Sequence, residues 1–89
     1  MIKSKNNICV IGLGYVGMPL AYEFSKYFNV IGFDINKQRI EELKKGIDKN
    51  DQILRKNLIK SKIKVTYKLK DLSNIDIFII TVPTTIKKN

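Results

Sequence analysis

The sequence contains no histidine, no tryptophan and only one cysteine, Cys9. One cysteine cannot form an intramolecular disulfide, and a zinc site built from histidine and several cysteines needs residues that this chain lacks. We therefore expect no metal site. Cys9 lies in an apolar run, so we interpret it as a small buried side chain, and its free thiol favours a reducing compartment, the cytoplasm.

Long apolar runs are also missing. No segment approaches the roughly 18 apolar residues of a membrane-spanning helix, and the first residues, Met-Ile-Lys-Ser-Lys-Asn-Asn, lack the apolar core of a signal peptide. We therefore expect no membrane partner. A length of 89 residues suits one small domain, residues 1–89, and no repeat or linker divides it.

Acidic residues are few, 8 against 17 lysines and arginines, which gives a net charge of +9. Most of the excess lies after residue 36 as single lysines, without arginine clusters or interleaved aromatic residues. Modules that read nucleic-acid sequence combine a basic face with a recognisable base-reading motif, and this chain has none. We interpret the lysines as a solvated surface and expect no nucleic-acid partner.

Four short apolar runs predict the strands of a sheet. Residues 8–11 and 30–33 are continuously apolar, as in strands that are buried on both faces of a parallel sheet. Residues 63–67 alternate between apolar and polar side chains, which predicts a peripheral strand. The most hydrophobic run, residues 75–82, predicts a central strand.

Three amphipathic segments separate or follow these strands. Apolar residues recur at helical spacing in residues 20–28 and again, less regularly, in residues 51–60. A third helix is predicted over residues 37–45, with Asn36 as its cap, Gly46 as its stop and an apolar side formed by Ile40, Leu43 and Ile47. The alternation predicts an α/β, Rossmann-like three-layer fold with a mostly parallel sheet, the amino-terminal half of a dinucleotide-binding domain.

Gly12, Gly14 and Gly17 form a G-x-G-x-x-G turn between the first predicted strand and the first predicted helix. In a dinucleotide-binding turn the first glycine allows the tight turn, the second lets a pyrophosphate approach, and the third lets the helix pack closely. The backbone N–H groups of Tyr15 and Val16 would then point towards phosphates. The alternatives are a purely structural turn, or the similar loop of flavin and methyl-donor nucleotide folds.

Asp34 follows the second predicted strand, at close to the spacing of about 20 residues expected for the acid that binds the adenosine ribose. Its carboxylate would accept hydrogen bonds from ribose hydroxyls and repel a 2′-phosphate, which favours NAD over NADP as cofactor. A helix cap is the alternative for Asp34. Arg39 has three possible roles: a 2′-phosphate ligand, a cationic wall over the adenine, or a solvated surface residue.

Three segments together resemble one protein family: Ile-Gly-Leu-Gly-Tyr-Val-Gly-Met-Pro-Leu-Ala at 11–21, Ile-Gly-Phe-Asp-Ile-Asn-Lys at 31–37 and Thr-Val-Pro-Thr at 81–84. The chain resembles the UDP-glucose/GDP-mannose dehydrogenase family of nucleotide-sugar 6-dehydrogenases. The Val-Pro-Thr form is more similar to the branch that acts on UDP-N-acetylhexosamines. The resemblance implies oxidation of the C6 hydroxymethyl group of a UDP-sugar to a carboxylate with two NAD⁺.

The resemblance also implies positions for the cofactor-binding residues. Tyr15 and Val16 would lie at the pyrophosphate, Asp34 at the adenosine ribose, Arg39 near the adenine and Thr84 beside the cofactor. Thr85 departs from the family pattern, because this branch usually has a second proline there.

The catalytic residues of the family lie downstream of the segment that this sequence matches, so the resemblance implies no catalytic residue here. We expect an amino-terminal fragment that is inactive alone, whose UDP-sugar substrate binds only to the full-length enzyme. We also expect a homodimer, formed through the strand at residues 75–82 or the face around it, because one edge and part of a face would be left uncovered. The alternative function is a freestanding Rossmann module that senses NAD or another nucleotide, without catalysis.

Overall fold

The computed structural model describes residues 5–49, 53 and 55–81. Strands and helices alternate along these residues, with one 3-10 turn at Leu69–Asp71. The strands are β1 (Asn7–Ile11), β2 (Asn29–Phe33), β3 (Lys64–Thr66) and β4 (Ile77–Ile80), and the helices are α1 (Gly17–Ser25), α2 (Lys37–Lys44) and α3 (Arg55–Lys60). The strands form one sheet in the order β3-β2-β1-β4, and every pairing is parallel. The predicted α/β, Rossmann-like fold is confirmed.

The core lies between one face of the sheet and the helices. Alternate residues of β1, Ile8 and Val10, point to this face, and the register places Ile8 beside Val30 of β2. The described helices pack on this same face, so this part of the chain supplies two of the three predicted layers. The buried residues that meet them are Met18 and Ala21 of α1, Ile40 and Leu43 of α2, and Leu58 of α3.

The opposite face of the sheet is apolar and only partly covered. Cys9 is fully buried there, because the register places it between Ile31 and Phe78. Phe78 and Ile80 of β4 are 53% and 67% exposed. Within the described residues β4 pairs only with β1 and lies at the sheet edge, so the prediction of a central strand is wrong for this sheet. Hydrophobicity predicted the strand correctly but not the number of its neighbours, and Val82 lies outside the described residues.

Helix α1 is shorter at its end than predicted. The N–H groups of Lys26 and Tyr27 bond the carbonyls of Glu23 and Phe24, so the last turn tightens and the chain reaches β2 within a few residues. Phe28 therefore lies beyond the helix, where its ring packs edge-on against Phe24 with 6.0 Å between centroids.

Helix α2 begins at Lys37 as predicted and ends at Lys44, one residue earlier than predicted. The side chain of Asn36 accepts a hydrogen bond from the N–H of Arg39 at 3.1 Å, and Gly46 adopts a φ of 82°, which favours glycine. Gly46, in its left-handed conformation, turns the chain away from the apolar side of the helix. Ile47 is therefore 43% exposed, and the prediction that it belongs to that apolar side is wrong.

The helix predicted over residues 51–60 is confirmed only in its second half, as α3, because residues 50–52 and 54 lie outside the described residues. Ile53 and Leu58 are buried, but Ile59 is 60% exposed, so the apolar residues of this segment do not all face the core. Among the described residues no helix is both long and apolar enough to cross a membrane.

Candidate functional site: the glycine turn and the cleft beside it

The glycine turn joins β1 to α1, and its glycines differ in their surroundings. Gly12 has a φ of 96°, which side chains rarely tolerate. A Cβ on Gly17 would lie 1.6 Å from the carbonyl oxygen of Gly12, so only glycine lets the helix approach the strand this closely. A Cβ on Gly14 would meet nothing within 4 Å, so the chain itself leaves this position open. These are the conformational roles that the motif predicts.

Tyr15 and Val16 lie on the exposed outer side of the turn, at 70% and 67% exposure. Val16 is the residue that precedes α1, and it makes no side-chain capping bond; the first turn of α1 also has no acidic side chain. The start of a helix carries partial positive charge from its unpaired N–H groups. The turn therefore offers an electropositive backbone surface beside Gly14, suited to an anionic group.

Leu13 fixes the turn in three ways, and sequence reasoning missed it. Its side chain is fully buried over Gly32 of β2, where a Cβ would lie 2.9 Å from the leucine methyl carbons. Its N–H donates to a carboxylate oxygen of Asp34 at 2.8 Å, and its carbonyl accepts from Nε of Arg39 at 2.9 Å. Two features of the sequence could have indicated this role: an apolar residue, Leu13, inside the glycine motif, and a glycine, Gly32, inside β2.

Asp34 lies between the glycine turn and the start of α2. One carboxylate oxygen accepts from Leu13 N–H, and the other accepts from Asn36 N–H at 2.9 Å. Asn36 supplies the side-chain cap of α2, so the alternative of Asp34 as the helix cap is wrong. A carboxylate offers about four acceptor positions, so Asp34 retains capacity for further donors such as ribose hydroxyls.

Arg39 is an inward-facing residue of α2, and the alternative of a solvated surface residue is wrong. Its side chain is 11% exposed, and Nη1 donates to Asp48 at 2.8 Å. Asp48 has a fully buried side chain, and its other oxygen accepts from the N–H of Ile53 at 3.2 Å. Nη2 of Arg39 is buried and has no hydrogen-bond partner among the described residues. Sequence reasoning missed Asp48.

Thr81, just beyond β4, supports the turn from behind. Its hydroxyl lies 2.6 Å from the carbonyl oxygen of Gly12 and 3.1 Å from that of Ile11, both within hydrogen-bond distance. In the sequence, Thr81 stood out only as the first residue of the Thr-Val-Pro-Thr segment, and no supporting role was predicted for it. The threonine predicted to contact the cofactor is Thr84, which lies outside the described residues.

An open cleft of about 380 Å³ lies over these groups. At its rim Glu42 and Lys49 form an ion pair at 2.8 Å, and the hydrogen bond from Lys49 lowers the pKa of Glu42. A larger cavity, about 630 Å³, is lined by Lys5, Asn7 and Lys62 among others, and contains none of the predicted site residues. The smaller cleft brings together four of them and is lined by Leu13, Gly14, Tyr15, Asp34, Asn36, Gln38, Arg39, Glu42 and Lys49.

Comparison with known protein families identifies the family to which this glycine turn and cleft belong. The model of the "UDP-glucose/GDP-mannose dehydrogenase family, NAD binding domain" matches residues 6–89, nearly the whole chain. The chain belongs to this family. Its cofactor is NAD, and three features of the described residues fit that group: the uncovered Gly14, the remaining acceptor capacity of Asp34 and the unpartnered Nη2 of Arg39. NAD supplies a hydride acceptor, which no side chain can provide.

Relatives in the family are named as dehydrogenases of UDP-N-acetylhexosamines. The UDP-N-acetyl-D-glucosamine 6-dehydrogenase of Pseudomonas aeruginosa is 47% identical over 83 residues, which are 92% of this chain and 20% of that protein. The UDP-N-acetyl-D-mannosamine dehydrogenase of Methanocaldococcus jannaschii is 45% identical over 83 residues, 86% of this chain and 19% of that protein. This chain therefore spans about a fifth of the length of these relatives.

Solved structures agree. The GDP-mannose dehydrogenase of Pseudomonas aeruginosa superimposes with a TM-score of 0.79 at 28% identity, covering 91% of this chain and 20% of that one. The UDP-D-ManNAc dehydrogenase of Pyrococcus horikoshii gives 0.76 at 33% identity, covering 85% and 20%. The resemblance found in the sequence is confirmed as family membership.

Proposed function

We propose that the chain is the NAD-binding part of a UDP-sugar 6-dehydrogenase, with a UDP-N-acetylhexosamine as substrate. The enzyme would oxidise the C6 hydroxymethyl group to a carboxylate with two NAD⁺, and the residues described would hold the cofactor. The observation that carries the proposal is the hydrogen bond from Leu13 to Asp34, which holds an open glycine turn beside the acid proposed to bind the ribose. Relatives named for UDP-N-acetylhexosamines support the substrate class.

The binding roles follow from the chemistry of each group. The amides around Gly14, Tyr15 and Val16 would bind the pyrophosphate at the start of α1. Asp34 would accept from the hydroxyls of the adenosine ribose. Arg39 would border the adenosine, and Thr84 would contact the cofactor beyond the end of β4.

An NMR titration of the ¹⁵N-labelled chain tests the proposal. NAD⁺ and ADP-ribose share the adenosine and pyrophosphate, so both should shift the amides of residues 12–18 and 34 with similar dissociation constants. UDP-N-acetylglucosamine should shift few amides, because the proposed sugar contacts lie in the rest of the enzyme. Unchanged spectra at millimolar NAD⁺ would contradict the assignment of these residues to cofactor binding.

We further propose that two copies of the chain associate through β4. This strand has one unpaired edge within the described sheet, and Ile77, Phe78 and Ile80 are each more than two-fifths exposed. Exposed apolar edge strands pair readily with other strands. Sedimentation equilibrium should give a dimer mass that falls towards the monomer in Phe78→Lys; a monomer for the unmodified chain at millimolar concentration would contradict this.

The setting that we propose is the cytoplasm, in the synthesis of sugars for bacterial polysaccharides. The free thiol of Cys9 supports a reducing compartment, because oxidising compartments favour paired cysteines. Cell fractionation with an antibody against the protein tests this location, and recovery in an oxidising compartment would contradict it.

A further inference from the structure

The ion pair between Arg39 and Asp48 lies directly behind the cleft in which the adenosine ribose is proposed to bind. An arginine close to the ribose is the usual means by which dinucleotide-binding folds accept a 2′-phosphate. Arg39 lines this cleft, yet its Nε is bonded to Leu13 and its Nη1 to the fully buried carboxylate of Asp48. Two sides of the guanidinium are thus already occupied by groups of the protein.

The other cation among the described residues that line the cleft is also paired. Lys49 lies 2.8 Å from Glu42, and both line the rim. Among the described side chains here, Asp34, Glu42 and Asp48 supply three negative charges against the two positive charges of Arg39 and Lys49. A doubly charged phosphate would meet no unpaired cation among these side chains, whereas uncharged ribose hydroxyls would find acceptors.

We propose that Asp48 is a specificity-determining residue, which neutralises Arg39 and so makes the site bind NAD rather than NADP. This inference rests on the NAD-binding role proposed above for the cleft. Asp48 does not touch the cofactor in this proposal, because its side chain is fully buried behind Arg39.

The loop after α2 holds Asp48 for this role. The carboxylate oxygen that does not bond Arg39 accepts from the N–H of Ile53, which is buried in the core. The carboxylate is thereby fixed to the backbone on one side and to the guanidinium on the other. A carboxylate held in this way cannot swing aside when a 2′-phosphate approaches Arg39.

The test compares the dissociation constants of NAD⁺ and NADP⁺, measured by calorimetry or NMR titration. Asp48→Asn keeps the size of the side chain but removes its charge, so NADP⁺ should bind more tightly relative to NAD⁺ by a factor of about ten or more. Asp76→Asn is the matched control, because Asp76 also accepts a backbone N–H but lies at the opposite end of the sheet. An equal loss of affinity for both nucleotides in Asp48→Asn would overturn the proposal.

A double variant keeps the test informative if Asp48→Asn does not fold. Arg39→Gln with Asp48→Asn removes both charges together and avoids a lone buried cation. If Asp48 neutralises Arg39, the ratio of the two dissociation constants should stay close to that of the unmodified chain. A marked further loss of NADP⁺ binding relative to NAD⁺ in this variant would mean that Arg39 already attracts the 2′-phosphate, and would overturn the proposal.

Titration of the unmodified chain with the two nucleotides distinguishes a failure of the role of Asp48 from a failure of the proposed function. If it binds NAD⁺ and only the variants behave differently from expectation, the role of Asp48 fails and the proposed function stands. If it binds neither nucleotide, the proposed cofactor site fails and the role of Asp48 fails with it.

Discussion

The carboxylate of Asp34 accepts a hydrogen bond from the backbone N–H of Leu13 at 2.8 Å, across 21 positions of the chain. The residue expected to bind the ribose is therefore also a support for the turn expected to bind the pyrophosphate. The bond joins two groups of the protein itself, so it orders the two halves of the proposed site relative to each other. Preorganisation of this kind reduces the ordering cost of binding.

Replacing Asp34 should weaken both the turn and the cofactor site. Asp34→Ala removes the acceptor for the N–H groups of Leu13 and Asn36, and we expect unfolding free energy to fall by about 1–3 kcal/mol. NAD⁺ affinity should fall about tenfold or more, with a large shift of the Leu13 amide resonance. Urea denaturation and NMR titration measure the two effects.

Asp76→Ala is the control for this change. Asp76 accepts from the N–H of Asn7 at 2.7 Å, a similar bond at the opposite end of the sheet. The control should lose stability but keep the NAD⁺ affinity of the unmodified chain. If both variants lost affinity equally, the effect of Asp34 would be one of general stability.

Gly14 and Gly17 should respond differently to the same substitution. Gly17→Ala forces a Cβ against the carbonyl oxygen of Gly12, where the backbone cannot yield, so the domain should lose several kcal/mol of stability or fail to fold. Gly14→Ala meets nothing within 4 Å and its φ is not positive, so the fold should persist. The added methyl group would lie where the pyrophosphate is proposed to bind, so NAD⁺ binding should fall.

Circular dichroism and NAD⁺ titration of the two variants separate fold from binding. A Gly17→Ala protein as stable as the unmodified chain, or a Gly14→Ala protein that binds NAD⁺ as well as the unmodified chain, would contradict the roles assigned to these glycines.

The features that the sequence predicted well are those set by neighbouring residues. The glycine turn, the Asn36 cap and the Gly46 stop each act within one turn of helix, so their chemistry can be read from short segments. The supports of the site depend on contacts between distant residues. Thr81 meets Gly12 across 69 positions, and Asp48 meets Arg39 only because the loop after α2 folds back.

The place of β4 could not be predicted for a related reason. Its hydrophobicity indicates the need for burial, but strand order depends on which strands are present to pair with it. Phe78 and Ile80 remain exposed at the described edge. A single run of residues carries no information on its neighbours in the sheet.

Cys9 should be chemically inert in the folded protein. Its side chain is fully buried in β1, and burial raises the pKa of the thiol, so little reactive thiolate forms near neutral pH. Labelling with a disulfide reagent should be slower by orders of magnitude in buffer than in concentrated urea. Rapid labelling of the native chain would mean that β1 opens far more often than its central position in the sheet implies.

The Glu42–Lys49 pair should make a small contribution to stability that depends on pH. The hydrogen bond from Lys49 lowers the pKa of Glu42 in the folded chain, so the contribution is present above the ordinary glutamate pKa of about 4.3 and is lost as the pH falls through the lowered value. Lys49→Gln should raise the Glu42 pKa towards its ordinary value, as followed by ¹³C NMR of the side-chain carboxyl group. Lys44→Gln is the control, because it removes an equal charge from the end of α2, the helix that carries Glu42. It should leave the pKa of Glu42 nearly unchanged. Equal shifts in the two variants would indicate that overall charge, and not the contact with Lys49, sets the pKa of Glu42.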